Sequence, residues 1–506
     1  MPTPLDVLRE TFGYAEFRPG QEKLINAVLA GRDCIGVMPT GAGKSLCFQI
    51  PARIMGETVL VISPLISLMK DQVDALLANG FRATVINSTV ALEERRRRLG
   101  NFKRGEYELV YLAPEALEGS LRDFLALCPV GMVVVDEAHC ISHWGHDFRP
   151  AYRKLQGLKS MLGNVPILAL TATATRRVAR DIITQLGMVK PEGYKGSFFR
   201  PNLHILCHKK GDGRDLRRER RAYVRRRAGE SGSIYCMSRK NVENLAAFLA
   251  KHGVRALPYH AGLPDKVRHQ HQEAFIRDQA DVIVATIAFG MGINKSNVRY
   301  VIHRDMPKSL ENYYQEIGRA GRDGLRSDCI LFYSWADVKN SEFFIDAAAD
   351  PELARETQRK TVELFRWADR RACRHQGIVA YFEQTLEACG SSCDYCAQTC
   401  WDDLIKQAPA LTPAPLAGPG SARPASVPVA PHDPLFLQLK TLRRALADEQ
   451  NVPAYIIFSD AVLIHMAALK PATAAQLREI PGVGPVKLER YGQAFLDVIR
   501  KAGAEA

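Results

Sequence analysis

Gly41-Ala42-Gly43-Lys44-Ser45 follows an apolar run, Cys34 to Met38. A strand that ends in a glycine loop and passes into a helix presents a row of backbone amides to phosphate. The loop lysine reaches the terminal phosphates, and the serine hydroxyl holds Mg²⁺. Thr40, Gly41, Gly43, Lys44 and Ser45 are therefore candidate nucleotide ligands. The usual pattern wants a further glycine where this chain has Met38, so the loop alone is an incomplete match. A second apolar run, Val133-Val134-Val135, ends in Asp136-Glu137-Ala138-His139. The first carboxylate suits Mg²⁺, a hard cation that keeps most of its water, and the second suits polarising an attacking water. Alone, an acidic pair at a strand end is as readily a surface feature. With the phosphate loop upstream, chemistry is the better reading.

Elements of two kinds must position these groups. In the first part of the chain, short apolar strands (Cys34–Val37, Val59–Ser63, Leu109–Leu112, Met132–Val135, Ile167–Leu170) alternate with helical patterns. Ser233–Cys236, Ala256–Tyr259, Val282–Val284, Tyr300–Ile302 and Cys329–Phe332 form a second such series. Each predicts a parallel sheet with helices on both faces, an α/β class. After Asp337 the strand pattern stops, and Ser341 to about Glu387 reads as helical. Ala408 to Pro434 is rich in Pro, Ala and Gly, which predicts an extended linker. Leu435 to about Lys501 is helical again, with Ile480-Pro481-Gly482-Val483-Gly484 as a turn between two helices.

The 506 residues carry a formal charge of +13 and a pI near 9.2, which favours a polyanionic partner. A generally basic soluble protein is the plain alternative. No apolar run approaches the roughly 20 residues that span a bilayer, and Met1-Pro2-Thr3-Pro4 does not open a signal peptide. An intracellular location is expected, so clustered cysteines point to metal rather than disulfides. Seven of the twelve cysteines are scattered from Cys34 to Cys329 and read as core residues. Cys373, Cys389, Cys393 and Cys396, spaced Cys-x15-Cys-x3-Cys-x2-Cys, suit a closed tetrahedral Zn²⁺ site that contributes to folding. Cys400 and His375 are alternative ligands.

Together these pieces resemble the RecQ family of superfamily II DNA helicases, from about Leu8 to Cys396, with a separate match to an HRDC domain near the C-terminus. The resemblance implies two tandem RecA-like lobes (1–202 and 203–340), a helical zinc-binding subdomain (341–402), a Pro/Ala-rich linker (403–433) and a small all-α HRDC-like domain (434–506). It implies ATP, Mg²⁺ and Zn²⁺ as cofactors. ATP hydrolysis would drive 3′-to-5′ movement on single-stranded DNA and unwinding in repair and recombination. Expected DNA substrates are single strands and 3′-tailed or branched duplexes. A single-strand-binding protein is a further candidate partner. A monomer in a bacterial, nucleoid-associated cytoplasm is the expected state.

Residue by residue, Tyr14 and Arg18 would stack on adenine and Gln21 would read its edge. A glutamine amide both donates and accepts, so it can pair with adenine in two places. Val61 to Gln72, with Ser63, resembles motif Ia along the single strand, and Leu170-Thr171-Ala172-Thr173-Ala174-Thr175 resembles motif III. His139 belongs to the DEAH-like box. Cys140 to Pro150 resembles the family's aromatic-rich loop, where Trp144 and Phe148 would stack on bases and Arg149 would hold phosphate. Ser238 and Arg239 lie in motif IV and Thr286 in motif V, as DNA contacts. Gln315, Arg319 and Arg322 lie in motif VI. Two arginines three apart on a helix share a face, and Arg322 takes the finger role toward the transferred phosphoryl group.

Two basic runs, Arg95 to Arg98 and Arg217 to Arg227, are expected to be solvated helix faces. One departure matters. Cys400 to Pro434 is too short for the winged helix that commonly follows zinc in this family. The alternative to the helicase reading is then a DNA-stimulated ATPase that translocates or remodels with little unwinding.

Overall fold

The computed structural model describes residues 2–504 apart from 65, 88–89, 118, 144, 146, 288, 290–294, 346–350 and 407–432. The chain forms two compact units, Met1–Ser197 with Pro471–Ala506, and Phe198–Lys470.

The first unit is built on seven strands: β1 Cys34–Val37, β2 Thr58–Ile62, β3 Ala83–Ile86, β4 Leu109–Leu112, β5 Val130–Val135, β6 Ile167–Thr171 and β7 Glu192–Lys195. Their order is β3-β4-β2-β5-β6-β1-β7, and every neighbouring pair is parallel. β1, β2, β4 and β6 are buried along their whole length, as apolar runs between two helical layers require. β7, Glu-Gly-Tyr-Lys, alternates half-buried with exposed residues, so no apolar run announces this edge strand. Helices Gln21–Leu29 and Leu46–Met55 bury Leu24, Cys47 and Phe48 in the same core. Met38 lies there too, 1% exposed, with the Cys47 thiol 3.9 Å from its sulfur. The position that departs from the usual loop pattern is thus a packing position.

The second unit holds β8 Leu203–Lys209, β9 Ser231–Tyr235, β10 Ala256–Tyr259, β11 Val282–Ala285, β12 Val298–His303 and β13 Ser327–Tyr333. The order is β10-β11-β9-β12-β13-β8, again all parallel. β8 is an edge strand, and it is covered. Ile205 N–H donates to Ser392 O and Cys207 N–H to the Asp394 carboxylate. Capping an exposed edge in this way removes a template for aggregation.

The basic run Arg217 to Arg227 is not a solvated face throughout. It lies on helix Leu216–Arg226, where Arg217 and Arg220 sit over the rings of Phe248 and Phe332. Arg227 is buried. It pairs with Asp328 and with Glu230 at 2.7 Å, and donates to the Tyr223 hydroxyl at 2.9 Å. Apolar rings supplied by neighbouring elements turn cations inward, which the run itself does not reveal. In the other run, Arg97 and Arg98 bind Glu94 on helix Leu92–Lys103, and Arg96 is exposed.

The boundary expected at 403 falls inside a helix. Trp401–Lys406 is a helix whose fully buried Trp401 donates to Glu219 at 2.8 Å. Residues 407–432 lie outside the described residues. Asp433 then caps helix Pro434–Glu449, and helices Ala454–Ile457 and Asp460–Leu469 follow. Buried Arg443 pairs with Asp460 at 2.7 Å, and Arg277 donates to Asn451 at 2.6 Å. In the first unit, helices Ala474–Arg478 and Pro485–Ala504 flank the turn read from Ile480 to Gly484. Gly482 N–H donates to Gly13 O at 3.2 Å. A Cβ on Gly13 would meet Gly484 N at 2.7 Å, so the two backbones touch.

Replacing Asp328 by alanine leaves the buried Arg227 without its nearest counter-charge. A loss of about 3 kcal/mol is expected, read as a lower calorimetric unfolding midpoint. An unchanged midpoint would mean that Glu230 alone neutralises Arg227.

Candidate nucleotide, nucleic-acid and metal sites

β1 delivers the chain to Pro39 and Thr40, and the loop that follows turns through positive φ at Gly41 (82°) and Gly43 (79°). Such angles favour glycine. The loop is braced from the adenine motif. Gln21 Nε2 donates to Gly43 O at 3.0 Å and Ala42 O at 3.3 Å, and Arg18 donates to Gly41 O. Gln21 Oε1 accepts from Arg18 N–H at 2.9 Å. A Cβ at Gly43 would meet Gln21 Nε2 at 2.5 Å, so only glycine fits there. The amide expected to read adenine is engaged on the phosphate loop, and Gln21 is 1% exposed. Tyr14 is 38% exposed, available for stacking. Lys44 and Ser45 are half-buried, and helix Leu46–Met55 starts directly after them.

Asp136 follows β5. Burial raises its pKa, the Glu137 carboxylate adds to this, and Lys44 opposes it; the balance lies near 7. A buried carboxylate beside another carboxylate and a lysine is a site poised for a cation, as the magnesium reading requires. Glu137 sits at φ 48°, the left-handed region, where a side chain other than glycine is strained. His139 is 1% exposed, and burial with the charges of Lys44 and Arg149 pulls its pKa to about 3, so it is neutral. Its Nδ1 lies 2.8 Å from Thr171 Oγ1 and 3.3 Å from a Glu137 oxygen. The Thr171 hydroxyl donates to Thr173 O at 3.1 Å, so it accepts from His139 and fixes the proton on Nδ1. The acidic box and motif III are thereby joined by one hydrogen bond.

The aromatic-rich loop is joined as well. Arg149 N–H donates to Cys140 O at 2.9 Å, one residue from His139, and Arg149 Nη1 donates to Pro64 O at 2.9 Å. Phe148 stacks on His143, with ring centres 3.7 Å apart. Trp144 lies outside the described residues. Ser63 departs from expectation. It is fully buried below the end of β2, its N–H bonded to Leu112 O, and its side chain is not presented to a strand of DNA.

In the second unit, Ser238 caps helix Arg239–Lys251 by accepting from Asn241 N–H, and the exposed Arg239 lies against Gly262. Thr286 follows β11 and is half-buried. Motif VI differs from the helical expectation. Helix Leu310–Ile317 carries Gln315 and ends before the arginines, and Gly318 to Gly321 form turns with Ala320 N–H bonded to Ile317 O. Gly321 at φ 55° bends the chain, so Arg319 and Arg322 are grouped by a turn and not by a helix face. Two residues that sequence reading missed hold this turn. Arg200 donates to Ala320 O at 3.1 Å and Gly321 O at 2.7 Å, and Asn202 donates to Gly321 O at 2.8 Å. No pattern around Phe199-Arg200-Pro201-Asn202 signals that role, because the contact joins residues far apart in the chain. Behind them, His303 bonds Glu316 at 2.7 Å and stacks on Tyr235.

The thiols of Cys373, Cys389, Cys393 and Cys396 all lie within 4.8 Å of one another, and Cys389 and Cys393 are 3.4 Å apart. Four sulfurs about 2.3 Å from zinc stand ~3.8 Å from each other, so the donor set fits that ion. His375 is committed elsewhere, its Nε2 2.9 Å from Leu203 O and 3.0 Å from Ser392 O. Cys400 is exposed, its N–H bonded to Asp403 at the start of helix Trp401–Lys406. Among the described residues no helix is long and apolar enough to cross a membrane.

Comparison with known families matches residues 18–182 to the DEAD/DEAH box helicases and 216–324 to the helicase conserved C-terminal domain. Residues 335–397 match the RecQ zinc-binding family and 432–499 the HRDC domain. The chain is 38% identical to the ATP-dependent DNA helicase RecQ of Pasteurella multocida, over 99% of this chain and 94% of that one. The chain belongs to the RecQ family of ATP-dependent DNA helicases. The RecQ of Bacillus subtilis is 36% identical over 98% of both chains. The Pasteurella alignment runs over 597 positions against 506 residues here, so that relative carries residues this RecQ-family chain lacks. Solved structures share the fold. A DUF1998 helicase, MrfA, bound to DNA and AMPPNP has TM-score 0.56 at 18% identity, over 68% of this chain and 53% of that one. S. cerevisiae Dbp5 bound to RNA and ADP BeF3 has TM-score 0.54 at 15% identity, over 78% and 93%.

Thr171→Val keeps shape but removes the acceptor of His139 and the donor to Thr173. The buried polar groups left behind cost roughly 1–3 kcal/mol. ATP turnover stimulated by single-stranded DNA should fall more than unstimulated turnover, measured as kcat with and without oligothymidine. Stripping metal with a chelator under reducing conditions should release one zinc per chain, read by a colorimetric zinc dye, and lower the unfolding midpoint. A metal-free parent of equal stability would remove zinc from the fold.

Proposed function

We propose that this enzyme couples ATP hydrolysis to 3′-to-5′ translocation on single-stranded DNA and separates the complementary strand. The observation that carries this reading is that Glu137, His139 and Thr171 meet side chain to side chain, while Arg149 of the aromatic loop bonds the backbone of Cys140, the residue after His139. A change at a DNA-facing loop is thus one hydrogen-bonded step from the hydrolytic groups.

Lys44, Thr40 and the loop amides hold the phosphates. Ser45 and Asp136 hold Mg²⁺, which when bound neutralises phosphate charge. Glu137 orients the attacking water. Gln315 lies beside Arg319 and Arg322, which supply positive charge to the transferred phosphoryl group, a contribution of about 10³–10⁵ in rate in other NTPases. Tyr14 and Arg18 receive adenine. Phe148, Arg149, Ser238, Arg239 and Thr286 line the path of the strand. Phosphate contacts of this kind make binding weaken as salt rises. Repair or recombination in the bacterial cytoplasm is the setting that fits.

A second reading, a DNA-stimulated translocase with little unwinding, is favoured by one observation. Only 34 residues, 398–431, separate the zinc-binding and HRDC matches. An assay on a 3′-tailed duplex, with Lys44→Ala beside the parent, decides. The parent should hydrolyse ATP and release strand, and Lys44→Ala should lose both by at least about tenfold. Hydrolysis without release selects the translocase. Equal turnover in parent and Lys44→Ala overturns both.

A further inference from the structure

Trp335 opens helix Trp335–Ile345 directly after β13 and is 47% exposed. Its ring meets Phe365 edge-on, centres 5.0 Å apart and planes at 82°. Phe365 in turn meets Tyr333 at 5.8 Å, and Lys209 Nζ stands 5.8 Å from the Phe365 ring centre. The indole is therefore held by neighbouring rings on one side and open to water on another. Nothing in the nucleotide or motif assignments uses it.

The charges around it are asymmetric in their engagement. Asp369 accepts from Lys209 at 2.9 Å and from the Tyr333 hydroxyl at 3.3 Å. Asp337 accepts from Lys210 at 2.7 Å and from Ser334 N–H at 2.8 Å. The acids are thus engaged by cations and donors, while Lys339, Arg366 and Arg370 are exposed. Arg366 and Arg370 are four residues apart and lie one above the other. The patch stands at the carboxyl ends of β8, which finishes at Lys209, and β13, which finishes at Tyr333. Ligands of parallel sheets gather at that edge. An exposed aromatic ring, with exposed Lys339 on its own helix and exposed Arg366 and Arg370 in the segment that carries Phe365, suits a base with its phosphate better than an apolar protein surface.

We propose that Trp335, backed by Phe365 and Lys209, is a stacking platform for an unpaired base of single-stranded DNA, with Lys339, Arg366 and Arg370 on the adjoining phosphates. This rests on the reading of the protein as a DNA motor and extends its strand path onto the helices Trp335–Ile345 and Pro351–Asp369, which precede the zinc ligands in the chain. It gives the chain a hold on DNA that does not use a winged helix.

The test uses the full chain and two oligothymidines, a short one that fills only the motif contacts and a long one that reaches further. Trp335→Ala should weaken binding of the long oligomer by about 5- to 150-fold, the range for one lost base stack, and leave the short one unchanged. Trp335→Phe should recover most of the loss. Arg366→Gln with Arg370→Gln should lower the slope of log affinity against log salt by about two for the long oligomer. Equal binding of the long oligomer by parent and Trp335→Ala overturns the platform. If the parent shows no DNA-stimulated ATP turnover, yet long-oligomer binding still depends on Trp335, the platform stands and the motor reading falls.

Discussion

A parallel sheet sends every strand in the same direction, so all its carboxyl ends open on one edge. That constraint organises this molecule. In the first unit Thr40 follows β1, Asp136 follows β5, and Thr171 ends β6. In the second, Ser238 lies beyond β9, Thr286 follows β11, and Trp335 lies just past β13. Within each unit, residues far apart in the chain reach that unit's own rim because hydrogen-bonded strands deliver them there. The strands themselves can then be plain apolar runs, since all the chemistry is relegated to their ends.

The same logic sets what the sequence shows. Interior strands read clearly, because burial on both faces demands continuous Val, Leu and Ile, and the phosphate loop reads clearly, because its glycines and lysine act within a few residues of one another. β7 does not, since this edge strand alternates half-buried with exposed residues and never forms an apolar run. The two missed holders of motif VI, Arg200 and Asn202, act on backbone carbonyls more than a hundred residues away. A contact of that kind leaves no local signature. Motif VI itself shows the limit of periodicity: a spacing of three suits a helix and also a tight turn, and the glycine at 321 decides for the turn. Ser63 was misplaced for a related reason, since a hydroxyl at a strand end points outward or inward according to register.

Composition also misleads where charge is concerned. Arginines in a dense run look solvated, yet Arg220 and Arg227 are buried because Phe332, Tyr300 and Asp328 arrive from other elements to receive them. A net charge of +13 therefore overstates the cationic surface. What counts for a polyanion is the subset of cations whose acids are already engaged, as around Trp335. The zinc knot shows the converse. Its spacing left the ligand set open, and the backbone closed it by claiming His375 for two carbonyls.

The seat of the C-terminal turn on Gly13 reaches past energetics. Gly13 and Gly484 are close neighbours: a Cβ at 13 would meet Gly484 N at 2.7 Å, and one at 484 would meet Thr11 O at 2.9 Å. A C-terminal domain exchanged for a homologous one would have to bring the same bare turn to be accepted. In this chain the segment from Pro471 is seated, backbone on backbone, in the unit that carries the phosphate loop.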